Sequence, residues 1–105
     1  MSTIELSIRY QAKCPMLASD AGINSFLRDL NETFERANES GMSIGLLSED
    51  EMRDIEVKLL AARISGIDEA IMEACDSYIA LLRQKGVPET LLPKRNPSDP
   101  LRFLE

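Results

Sequence analysis

The sequence predicts a mainly α-helical protein. It should form a helical hairpin or small helical bundle from a helix over about residues 20–40 and a long helix over about 49–85, with a short N-terminal strand at 3–10 and an extended C-terminal tail. Three observations carry this. Apolar residues from Ile23 to Ala37 recur at helical spacing, a heptad seam runs from Val57 to Leu81, and four of the five prolines fall after Gly86. The chain divides accordingly into one helical domain, 1–86, and a Pro-rich tail, 87–105.

The first element is "TIELSIRY". Ile4, Leu6, Ile8 and Tyr10 alternate with Thr3, Glu5, Ser7 and Arg9, the period of a half-buried strand. A lone strand has unpaired backbone groups, so it must pair with Met42–Leu47, with a second copy of itself, or with the edge of a foreign protein. "QAKCPMLA" follows as a connector, because Pro15 suits neither a ladder nor a helix interior. Ser19 or Asp20 can cap the next helix, in which Ile23, Phe26, Leu27, Leu30, Phe34 and Ala37 share one face. Gly41 closes it. "MSIGLL" is a buried loop or a second short strand.

Ser48 and Glu51 stand three apart at the start of an acidic turn, the spacing of a capping box, and fix a helix start there. From Val57 the apolar residues Leu60, Ile64, Ile67, Ile71, Ala74, Tyr78 and Leu81 alternate spacings of three and four without a phase slip through Gly66. Ser65 with Asp68 mimics a second capping box, so a break at Gly66 is the alternative. Lys85, Gly86 and Pro88 mark the end. An uninterrupted helix of about 37 residues would be roughly 55 Å long, too long for one shorter helix to cover. Beside the seam, Ala62, Gly66, Ala70 and Ala74 form a small-residue groove that lets another helix approach closely. Either the first helix fills it, or long helices of an antiparallel homodimer cross at Gly66.

Composition narrows the chemistry. There is no histidine, which removes the usual general base and the commonest metal ligand. Cys14 and Cys75 are expected to be reduced, Cys75 as a buried structural thiol. Net charge is −6, unevenly spread: Asp29 to Asp76 carries −9, whereas Arg83 to Arg102 carries +3. An acidic body argues against nucleic-acid binding and suits a basic protein surface. With no apolar run long enough to cross a membrane and no basic-then-apolar start, the expected location is cytoplasmic.

Two resemblances bear on function. "ETFE" and "EACDSYIALLRQKG" resemble the Glu-x-x-Glu and Glu-x-x-Asp pieces of the MazG-type all-α nucleoside triphosphate pyrophosphatases. That resemblance implies a Mg²⁺ site on Glu32, Glu35, Glu73 and Asp76 and release of pyrophosphate; the family's extra glutamate is absent, since Asn31 precedes Glu32. A strand followed by helices resembles ribbon-helix-helix DNA binders, but the outward set Thr3, Glu5, Ser7 and Arg9 places an acid where phosphates would lie.

The expected function is therefore non-enzymatic: a regulator, inhibitor or adaptor that binds another protein, as a homodimer and without a cofactor. Its contact residues would be Ile4, Leu6, Ile8 and Tyr10, the groove at Ala62, Gly66, Ala70 and Ala74, and the tail residues Leu101, Phe103 and Leu104. The alternative is the Mg²⁺-dependent hydrolase.

Overall fold

A computed structural model describes residues 3–13 and 23–103, with side chains described as far as Ser98. The expectations for Cys14, Pro15, the Ser19 or Asp20 cap and Leu104 lie outside those residues. Among the described residues four helices follow one another: α1 (Thr3–Lys13), α2 (Ile23–Glu39), α3 (Glu49–Ser65) and α4 (Asp68–Gln84). A 3₁₀ turn (Glu89–Leu91) and a two-stranded antiparallel hairpin, β1 (Arg95–Asn96) with β2 (Asp99–Phe103), follow α4. The result is a small, mainly helical bundle.

The N-terminal strand predicted at 3–10 is instead helix α1. "TIELSIRYQA" satisfies both periods: it alternates, yet Ile4, Ile8 and Ala12 also stand four apart. The helix buries Ile8 and Ala12 and packs Ile4 against the core, leaving Leu6 and Tyr10 58% and 70% exposed on the other side. A helix bonds its own backbone, whereas a strand here would have needed a partner edge. With α1 helical, no ribbon exists at this end to enter a DNA groove.

Helix α2 follows the expected face. Ile23, Leu27, Leu30, Phe34 and Ala37 are buried, with Phe26 packed against them. After Gly41 the segment Met42–Leu47 runs extended but belongs to no sheet. Two asparagines of α2 hold it. Asn31 Oδ1 accepts from the Leu47 amide at 2.8 Å while its Nδ2 donates to the Leu47 carbonyl at 2.8 Å. Asn38 does the same to Ile44, at 2.7 and 2.8 Å. The spacings match: seven helical residues rise about 10.5 Å, and three extended residues span about 10 Å. Each side-chain amide takes the place of a neighbouring strand's peptide group.

The capping box forms as predicted. Ser48 Oγ accepts from the Glu51 amide at 3.1 Å, and the Ser48 amide donates to Glu51 Oε1 at 3.0 Å. Lys85 Nζ donates to that same oxygen at 2.7 Å, tying the end of α4 to the start of α3, so the two helices run antiparallel. Lys85 and the Ser48 amide hold the Glu51 carboxyl below its ordinary value of 4.5. A carboxylate more acidic when folded stabilises the fold above its unfolded pKa, and that stabilisation disappears as pH falls through the lowered folded value. Glu51→Gln is expected to cost about 1 kcal/mol at pH 7 and clearly less at pH 3, as read by urea denaturation at the two pH values. An equal cost at both would remove the ionic explanation.

The single long helix is the second correction. Gly66 has φ +65°, and its amide donates to the Ala62 carbonyl at 3.2 Å, the left-handed closure of α3. Ser65 does not cap α4. Its hydroxyl donates to the Ala62 carbonyl at 2.8 Å and accepts from the Ile67 amide at 3.2 Å, bracing the turn. The physical reason is coverage. Helix α2 has 17 residues, about 25 Å, and cannot cover 55 Å of apolar seam; folding back at Gly66 lets α4 cover α3 within one chain.

The break also changes which stripe is buried. Helix α3 buries Met52, Ile55, Leu59 and Ala62, and α4 buries Ala74, Cys75, Tyr78 and Leu82. The seam residues Val57, Ile64 and Ile67 face outward. Nothing lies within 4 Å of where a Gly66 side chain would start, so only the backbone angle opposes one. Gly66→Ala is therefore expected to cost about 1 kcal/mol, measured by thermal denaturation. A cost near zero would mean that α3 and α4 can join without the turn.

The tail expected to be extended is partly folded. Val87, Leu91 and Leu92 are buried in the core, with the 3₁₀ turn against α1. The apolar residues next to Pro88 and Pro93 anchor it. Asn96 and Pro97 then set a tight turn, in which the Asn96 side chain accepts from the Ser98 amide at 2.9 Å.

Candidate protein-binding surface

The surface of most interest lies where α3 turns into α4. Burial of Met52, Ile55, Leu59 and Ala62 fixes the rotation of α3, and its 3.6-residue period then points Val57, Ala61 and Ile64 directly away from the core. Val57 is 58% exposed and Ile64 79%; Ile67, in the turn, is 56% exposed. Leu60, Ala70 and Ile71, half-buried, border them. Three large aliphatic side chains within eleven residues thus form a ridge ending at Gly66. Single exposed apolar residues are ordinary on a soluble surface; three large ones close together in the chain are less so.

The ridge is rimmed by charge. Arg53 and the Asp54–Lys58 ion pair, at 3.0 Å, flank its start on α3, and Asp68 and Glu69 open α4 beyond it. On the other flank of α3 an open groove toward α4 is lined by Glu51, Asp54, Ile55, Lys58, Ser77, Ala80, Leu81 and Gln84.

The contact residues expected from the sequence are distributed differently. Ile4 and Ile8 belong to the core side of α1, and Leu6 and Tyr10 to its exposed side. Ala62 and Ala74 are buried, Ala70 is half-buried, and Gly66 is the turn between their helices. Leu101 and Phe103 lie on β2, which packs beside α4.

The carboxylates of the hydrolase alternative are not gathered. Glu32 and Glu35 are exposed on α2, and Glu73 and Asp76 are exposed on α4. Asp76 is ion-paired with Arg95, whose guanidinium also donates to the Met72 carbonyl at 3.3 Å. Among the described residues no three acids or cysteines sit close enough to share a metal ion. Cys75 is a free, buried thiol. Burial pushes its pKa up to about 11, against the opposing pull of Arg95, so it is protonated at neutral pH.

Sequence reasoning missed the asparagine pair and the strap made by Arg95. The asparagines had a signal, a seven-residue repeat on one helix followed by an unassigned extended segment. Arg95 had none, because its partners lie in a distant helix.

No helix among the described residues is long and apolar enough to cross a membrane. No protein-family model matches this chain, and no curated protein or solved structure matches it. What the fold and surface define is a small helical bundle with an apolar ridge at one helical turn.

Proposed function

We propose that this protein works by binding another protein, as a regulator, inhibitor or adaptor, and that the ridge of Val57, Ile64 and Ile67 is its contact surface. The observation that supports this is the exposure of three large aliphatic residues within eleven positions of α3 and the turn that follows it, among mostly polar and charged exposed neighbours. Burying them against a partner removes apolar area from water, and the charged rim sets orientation.

The test compares wild-type protein with Ile64→Asp/Ile67→Asp, both tagged and gently purified from the native host. Both substitutions are exposed and should leave the helical circular dichroism unchanged. The wild type is expected to carry a stoichiometric protein in native mass spectrometry, and the variant to lose it. A variant that keeps its full complement of partners would overturn the assignment of this surface.

A further inference from the structure

We propose that the C-terminal hairpin of β1 and β2 is a strap that opens as a unit while helices α1–α4 stay folded, with Arg95 as its latch and Cys75 of α4 as the group that opening uncovers; this does not rest on the assignment of the ridge. The way Cys75 is buried motivates it. Cys75 is 2% exposed, yet it does not belong to the contiguous apolar core that holds Ala74, Tyr78 and Leu82. At about 100° per residue, Cys75 lies on α4 between that core row and the row of Met72, Asp76 and Ile79. The hairpin is gripped to this second row. Arg95 donates to the Met72 carbonyl at 3.3 Å and is ion-paired with Asp76, so its two contacts bracket Cys75 in the sequence, and β2 packs beside α4.

The hairpin can lift without disturbing the core. Leu92 and Pro93 are buried, and anchorage weakens after them: Lys94 is exposed, Arg95 and Asn96 are half-buried, and Pro97 and Ser98 are exposed. The hairpin's own bonds travel with it, since β1 pairs with β2 and the Ser98 amide donates to the Asn96 side chain at 2.9 Å. Segments with few buried contacts open at a lower free energy than the whole domain unfolds. The latch suits such an opening, because the Asp76 side chain is 64% exposed and its pairing with Arg95 competes with water. Access to the thiol is then set by the latch and not by the stability of the bundle.

Thiol labelling of the full chain tests this, in a Cys14→Ser background that leaves Cys75 as the only thiol. The probe is dithiobis(nitrobenzoate). The Cys75 thiolate attacks its disulfide, a mixed disulfide forms, and one coloured nitrothiobenzoate leaves and is read by absorbance. Below the unfolding transition the labelling rate is expected to depend only weakly on urea, the mark of a local opening. Arg95→Ala should label about tenfold faster at an unchanged urea midpoint. Arg95→Lys, which keeps the charge but not the fork that reaches both partners, should fall between the two. A direct electrostatic effect on the thiol has the opposite sign. The Arg95 guanidinium pulls the Cys75 pKa down, so its loss alone would leave less thiolate and slow the reaction. An unchanged rate in Arg95→Ala overturns the proposal. So does labelling whose urea dependence matches that of global unfolding, or a rate increase fully accounted for by a lowered midpoint.

Discussion

Replacing Asn31 and Asn38 together by alanine is expected to lower the stability of the fold by about 3–5 kcal/mol, the largest effect of any surface-accessible change considered for this chain. Each side chain supplies a donor and an acceptor to one residue of the extended segment, Leu47 or Ile44. Both residues are buried, so their peptide groups have poor access to water. Removing an amide loses two hydrogen bonds and leaves an N–H and a C=O to be satisfied elsewhere, roughly 2 kcal/mol per site. The segment also positions Ser48, so α3 would lose its fixed starting point. Urea denaturation with single and double variants measures this, and a double variant within 1 kcal/mol of wild type would show that water replaces the clamps at little cost. A sharper variant is Asn31→Asp, which keeps the acceptor for Leu47 N–H but turns a carboxylate oxygen toward the Leu47 carbonyl. Its folded pKa should be raised, so the variant should be destabilised at pH 7 and recover as pH falls and the acid becomes a donor.

Gly86→Ala is expected to cost about 3 kcal/mol. Gly86 has φ +95°, which a side chain rarely adopts, and a Cβ there would stand 2.8 Å from the Ser43 carbonyl oxygen. The neighbour is backbone and cannot rotate aside. Relief requires Ser43 to move, and with it the 2.7 Å bond from the Gly45 amide to the Lys85 carbonyl and the Asn38 clamp on Ile44. Gly66→Ala provides the control, because it shares the left-handed backbone without the clash. Thermal denaturation of both variants separates the two contributions. Equal costs would mean that the Met42–Leu47 segment yields easily, and would also weaken the expectation for the asparagines.

Much of this architecture was legible in the sequence where its determinants are local. The Ser48–Glu51 box, the face of α2, the closing role of Gly86 and the burial of Cys75 each depend on residues within one or two helical turns, and each appears as the spacing implies. Helix α1 is not fixed by its sequence pattern, because its residues satisfy two periods at once. Local pattern cannot choose between them; the presence of α2 to pack against, and the lack of a strand to pair with, can.

The turn at Gly66 belongs to the tertiary structure for a related reason. Heptad phase continues through it, so the sequence favours one long helix, but a continuous helix would leave more apolar seam than α2 can cover. Folding back buries Ile55, Leu59, Tyr78 and Leu82 in one core and turns Val57, Ile64 and Ile67 outward. The sequence by itself determined that this chain is helical, where α3 begins and where α4 ends, because hydrogen bonds and caps within a helix are set by near neighbours. Only the tertiary structure decided which of two apolar rows on α3 is core and which is surface, because both have the same period and differ only in which can be covered by the rest of the chain.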